Sequence, residues 1–185
     1  ILNAAEKILN SEELKKFLSQ ANKDGNNALT WASRSGNKET AALILNTAEK
    51  ILNHEELKKF LSQTSHDGEN ALMQAAWSDN ENKGIVALIL NAAGKILNHE
   101  ELKKFLSQAR GRGQNALMLA AWNDNEHKET VGMILNAAEE ILNHEELKKF
   151  LSQIDENGNN ALKHAKYRNY PESVRLIEKA LQKVN

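Results

Sequence analysis

No cysteine occurs among the 185 residues. Disulfide frameworks, Cys-ligated zinc, iron–sulfur clusters and thiol nucleophiles are therefore excluded. Proline is nearly absent, Pro171 being the single example, and glycine is limited to 9 residues. A chain so poor in turn-forming residues has few irregular loops and reads as helical throughout. Aromatic residues make up only 5%, and no apolar run approaches the roughly 20 residues that span a bilayer. Neither sign of charge dominates: Lys and Arg number 24, Asp and Glu 25, for a formal net charge of −1. The chain thus lacks the surplus of cations that drives nucleic-acid or acidic-membrane binding by counterion release. It also lacks a Gly-rich phosphate loop, a nucleophile elbow and an HExxH pair. What remains, 41% hydrophobic and 26% charged, is ordinary globular usage.

The sequence is repetitive. KILNSEELKKFLSQ begins at Lys7, KILNHEELKKFLSQ at Lys50 and Lys95, and EILNHEELKKFLSQ at Glu140, at offsets of 43, 45 and 45 residues. A second landmark keeps the same beat: DGNNAL, DGENAL, RGQNAL and NGNNAL place Gly25, Gly68, Gly113 and Gly158 in register. Leu29, Leu72, Leu117 and Leu162 follow them. The chain parses into a partial unit, 1–20, then 21–63, 64–108, 109–153 and a shorter last unit, 154–185. The two-residue length difference lies between SRSGNKET and WSDNENKGIV, which marks a loop. The opening ILNAAEKILN matches the middle of a unit, so the chain reads as a fragment cut inside a repeat. The last unit lacks EELKKFLSQ and ends in polar EKALQKVN, as a solvent-facing terminal cap does.

Within a unit the spacing predicts three helices. Asn27 is a good N-cap for a short helix carrying Ala28, Leu29, Trp31 and Ala32, with Trp31 expected on its apolar side. Gly36 ends that helix, and Asn37 caps the next. The second helix carries Ala41, Ile44, Leu45, Ala48, Ile51 and Leu52, a stripe at intervals of three and four. The phase slips at Asn53-His54, and a third helix restarts with Leu57, Phe60 and Leu61. Asn53 and Glu56 have capping-box spacing, and Glu55 and Lys59 are placed as an i,i+4 pair. No unit buries its stripe alone. Stacking unit on unit does so, with Phe60, Phe105 and Phe150 at equivalent core positions.

These landmarks resemble ankyrin repeats, whose pattern is D-x-x-G-x-T-P-L-H-x-A-A, a Gly, then a second helix with Glu near its start and a Leu-Leu run. The matching stretches are DGNNALTWAS…GNKE…LIL, DGENALMQAA…ALIL, RGQNALMLAA…KETVGMIL and NGNNALKHAK…YPESVRLI. Two departures stand out. Asn-Ala-Leu replaces Thr-Pro-Leu-His, and the period exceeds the family's, which is about 33 residues. The added length is the EELKKFLSQ segment. The resemblance implies an all-α solenoid. An armadillo- or HEAT-type solenoid fits the period by itself, while the Gly-x-Asn-Ala-Leu turn and the GNKE start favour ankyrin. Enlarged repeats of this kind are similar to those of proteins that host-associated bacteria export, which implies a cytoplasmic location, in the host-cell cytosol if exported.

Metal and acid–base chemistry find little footing. His54, His99 and His144 recur at the start of the third helix and read as solvated. His66 with Asp67, and His127 with Glu126, lack a third ligand. The Glu pairs recur at four equivalent places, which argues for solvation and against a single acid–base site.

Binding is expected where the units differ. The run from Ile-Leu-Asn to Ser-Gln is nearly constant, whereas the turns read NKDGN, SHDGE, RGRGQ and DENGN. The ends of the first helices vary as well. In the ankyrin family those turn tips and helix ends line the concave binding face. Register places Arg34, Trp77, Trp122 and Tyr167 at one equivalent position, a ladder of hot-spot residue types. Its tip neighbours are Lys23, Asp24, His66, Glu69, Arg112, Gln114, Glu156 and Asn157. The alternative is that Trp77 and Trp122 pack between repeats. The expected function is a non-enzymatic module that binds a protein or peptide, with no cofactor, metal, nucleic acid, membrane or small-molecule substrate. The alternative is a targeting arm of a larger enzyme. The chain is expected to be a monomer, with possible self-association through the Ile1, Leu2, Ile8 and Leu9 face.

Overall fold

The computed structural model of the chain describes residues 5, 7–78, 83–123 and 129–184. His127, Glu126, Ile1 and Leu2 lie outside the described residues, as does much of the inserted loop. Among the described residues there are twelve helices. They are α1 (Ser11–Ser19), α2 (Ala28–Ser35), α3 (Lys38–Ile51), α4 (His54–Ser62), α5 (Ala71–Trp77) and α6 (Lys83–Ile96), followed by α7 (His99–Ser107), α8 (Ala116–Asn123), α9 (Glu129–Ile141), α10 (His144–Ser152), α11 (Ala161–Tyr167) and α12 (Pro171–Gln182).

The helices stack in three rows. In the first, α2, α5, α8 and α11 each pack on the next, and in the second α3, α6, α9 and α12 do the same. The third row, α1, α4, α7 and α10, docks on the second-row helix of the following unit, α3, α6, α9 and α12 respectively. One continuous apolar cluster runs from Leu18 to Val184. Leu29, Leu72 and Leu117 are fully buried in it, and Phe60, Phe105 and Phe150 are buried beside them. Their first copy, Phe17, is 37% exposed. Each buried side chain of this size contributes about 1.5–3 kcal/mol, so one missing neighbour matters.

The Asn-Ala-Leu signature has a physical cause. Asn70 Oδ1 accepts the N–H of Met73 at 2.9 Å and caps α5, while its Nδ2 donates to the Phe105 carbonyl at 3.2 Å. Asn27 bonds Thr30 and Phe60 in the same way at 3.0 and 3.0 Å. Asn115 caps α8 through Met118 and reaches Gln153. One buried amide thus satisfies a helix start and ties it to the next third-row helix. A Thr hydroxyl at the same place would supply the cap without the second reach.

The turns stack too. His66 N–H donates to the Asp24 carbonyl at 2.7 Å, Gly111 N–H to Asp67 at 2.7 Å and Glu156 N–H to Arg112 at 3.0 Å. Gly113 has φ +78, and a Cβ there would stand 3.1 Å from the Cα of Asp155. Left-handed backbone and close approach together require glycine at this position.

The third-row helices open with full capping boxes, Asn10/Glu13, Asn53/Glu56, Asn98/Glu101 and Asn143/Glu146. The last three glutamates also meet the preceding unit: Lys15–Glu56 at 3.4 Å, Lys58–Glu101 at 3.1 Å and Lys103–Glu146 at 2.8 Å. The N–H of Asn53 and of Asn98, and after it the lysine, hold Glu56 and Glu101 below the usual glutamate range. For Glu146 the lysine acts first and the Asn143 N–H second.

Two expectations need correction. Glu55 pairs with Lys58 at 3.2 Å, an i,i+3 contact, and not with Lys59. Lys58 lies between Glu55 and Glu101 and gains from both. Trp31 is not core: the residue is 48% exposed. Leu29, Ala32 and Ser33 form the buried face of α2, and Trp31 shares the opposite face with exposed Arg34 and Ser35. In the first row α2 packs only on α5, whereas α5 and α8 each lie between two neighbours.

Candidate functional site

The ends of α5, α8 and α11 and the two following turns surround a groove of about 620 Å³. Trp77, Trp122 and Tyr167 form its aromatic wall. From the turns come Arg112, Gln114, Glu156 and Asn157. Seven of the residues singled out in the sequence are thereby brought together. Trp77 is 39% and Tyr167 78% exposed, and Trp122 is half-buried.

The three rings do not form one stack. Trp122 and Tyr167 lie nearly parallel, with centroids 5.4 Å apart and 11° between their planes. The His164 ring lies nearly perpendicular to the same indole, with centroids 5.5 Å apart. The Arg168 guanidinium sits 5.2 Å from its centroid. Trp77 instead has Arg110 over its ring at 5.1 Å, and its carbonyl accepts from Asn123 Nδ2 at 2.7 Å. Such cation–π contacts hold a flat ring in place while leaving its edge to a ligand.

Arg110 is itself held. Glu69 receives its Nη1–H at 2.8 Å, Gln114 its Nε–H at 2.9 Å, and Gln74 donates to the same Glu69 carboxylate at 2.6 Å. Glu69 and Gln114 therefore act here as supports of a guanidinium. On the other side of the groove, Asp155 is buried with His164, Oδ2 to Nε2 at 2.9 Å. Burial by itself would raise the Asp155 carboxyl. The N–H groups of Asn159 and Asn157, with His164, outweigh it and hold the carboxyl below the usual aspartate range.

Other singled-out residues lie apart from the groove. Arg34 stands 5.7 Å from the Trp31 centroid, and neither lines the groove. Lys23, Asp24 and His66 are exposed on the earlier turn tips, where the Asp24 carbonyl and His66 N–H join successive tips.

The third-row helices carry the one potential metal grouping found among the described residues, His99, Glu100 and Glu146. The Lys103 ammonium already lies 3.2 Å from Glu100 and 2.8 Å from Glu146, so a cation of the protein occupies that charge. His54, His99 and His144 are exposed at the helix starts.

A family model described as Ankyrin repeats (3 copies) matches residues 1–99, more than half of the chain. The chain belongs to the ankyrin-repeat family. No curated protein matches the ankyrin array by sequence. Among solved structures it is similar to a chain of the crystal structure of the yeast ribosomal protein Rps3 in complex with its chaperone Yar1. The TM-score is 0.63 at 19% identity, covering 82% of this chain and 89% of that one. At that identity the likeness speaks for the fold. No described helix of the array is long and apolar enough to cross a membrane.

Sequence reasoning missed Arg110, Asp155, His164 and Arg168 in the ankyrin array. A signal for two of them was present. The first turn position reads Asn22, Ser65, Arg110 and Asp155. Asn22, Ser65 and Asp155 accept backbone N–H groups from their own turns, as short polar residues do. Arginine fills that role poorly, and its reach to Trp77 is the consequence.

Proposed function

We propose that the array is a non-catalytic module that binds a protein through an extended segment or helix laid in the groove between Trp77 and Tyr167. The observation that carries this reading is the convergence of preorganised aromatic rings and polar turn tips on one groove. Aromatic and arginine side chains dominate interface hot spots. Here Arg110 and Arg168 hold two indoles in fixed positions, so little side-chain entropy remains to be lost on association. Ankyrin-repeat membership supports a protein partner, as does a structural relative from a ribosomal protein–chaperone complex. Joined to a catalytic domain, the same groove would act as a targeting arm.

Photo-crosslinking tests the reading. A benzophenone side chain placed at Tyr167 should capture a partner that the same probe at exposed Glu145, on the third row, does not. Capture through position 145 alone would move the interface to the third row of helices.

A further inference from the structure

We infer that the groove selects an acidic peptide segment bearing an apolar anchor, an assignment that rests on the protein-binding reading and narrows it. The charges around the opening are unequal. Arg112, Lys163 and Lys166 are exposed on its lining, against a single exposed carboxylate among the described lining residues, Glu156. The second acid, Asp155, is buried and directed to His164 and its own turn. Arg112 reaches Glu156 only at 3.8 Å, with its side chain 75% exposed. Lys163 rests on a neutral acceptor, the Gly158 carbonyl at 2.8 Å. Lys166 pairs with Glu178 at 2.8 Å, both half-exposed. The whole chain has a net charge of −1, so this surplus of cations belongs to the groove and not to the composition.

Charge complementarity of this kind steers and selects partners. Between the cations lie the indoles of Trp77 and Trp122, whose apolar surface suits a Leu, Met or aromatic side chain. A single-stranded nucleic acid would need open ring faces for its bases. Trp77 already carries Arg110 over its ring, and Trp122 carries both Tyr167 and Arg168. Bases would have to displace these contacts to stack on the groove indoles.

The test pans a random-sequence peptide display library on the full chain. The selected peptides are then measured by fluorescence anisotropy at low and high salt. The expected pool is rich in Asp and Glu around one apolar residue. Its binding should weaken as salt rises, and about tenfold in Arg112→Glu and again in Lys163→Glu, while Lys163→Arg retains it. Both charged positions are exposed, and thermal melts verify that each variant is folded. Neutral or basic peptides that lose binding in Trp122→Ala would overturn the charge assignment and leave the groove reading standing. Peptides indifferent to Trp122→Ala and to both reversals, or an empty selection, would overturn both. A labelled single-stranded oligonucleotide bound more tightly than the acidic peptides, and released by the same reversals, would overturn the peptide assignment.

Discussion

Trp122 stacks on Tyr167 at 5.4 Å and stands nearly perpendicular to the ring of His164, which is hydrogen-bonded to the buried carboxylate of Asp155. The groove wall is thus coupled to a polar pair beneath it. Removing the phenol ring in Tyr167→Ala should cost about 0.5–1.5 kcal/mol of stability, the scale of an aromatic pair. It should also shift Trp122 emission to longer wavelength as the indole gains water. Unchanged emission with unchanged stability would mean that the stack does not persist in solution.

The ends of the array differ from its middle. Phe105 is buried and Phe17 is 37% exposed. Phe105→Ala should cost about 3–5 kcal/mol, whereas Phe17→Ala should cost much less. Hydrogen exchange should find Leu14 and Phe17 less protected than Leu102 and Phe105. Equal protection would contradict nearest-neighbour stacking.

Asn70 performs two tasks with one side chain. Asn70→Ala removes the cap of α5 and orphans the Phe105 carbonyl, and should cost about 2–4 kcal/mol in chemical denaturation. Asn70→Ser restores the cap alone and should recover only part of that loss. Full recovery by serine would show that the reach to Phe105 contributes nothing.

Acid should loosen the contacts between units. The carboxyls of Glu56, Glu101, Glu146 and Asp155 are all held below their ordinary values in the fold. Groups depressed in this way stabilise the fold above their unfolded pKa, near 4, and lose that stabilisation as pH falls through the lower folded value. Lys15, Lys58 and Lys103 are raised, first by Glu12, Glu101 and Glu146 respectively. Their contribution is present below about pH 10.4 and is lost as pH climbs through the higher folded value. Melting temperatures between pH 2 and 5 should therefore fall more steeply in the parent than in Lys58→Met, which lacks one cross-unit pair. Parallel curves would leave the Lys58–Glu101 contact without effect.

The rows of helices were legible because they rest on local signals. Asn53 and Glu56 sit at capping-box spacing, and the Ala41–Ile44–Leu45–Ala48 stripe allows one face. Seven groove residues were legible for a different reason: register puts them on the same edge of consecutive units. What escaped depends on contacts across units or turns. Nothing local joins Asp155 to His164 nine residues on, or Arg110 to Trp77 in the preceding unit. Trp31 was misplaced because its apolar character outweighed its phase. With Leu29, Ala32 and Ser33 on the core face, position 31 falls beside Arg34, where the structure puts it.

Alanine substitution decides whether the groove aromatics carry partner binding. Affinity for the partner captured through Tyr167 would be measured by titration calorimetry for Trp122→Ala, Tyr167→Ala and Trp31→Ala, with melting curves for each. Trp31 is the control: an exposed indole outside the groove. The groove variants should lose about 2 kcal/mol or more, the hot-spot scale, with Trp31→Ala near the parent. Binding per folded molecule left intact in Trp122→Ala and Tyr167→Ala, with loss confined to stability, would contradict a binding role for the groove aromatics.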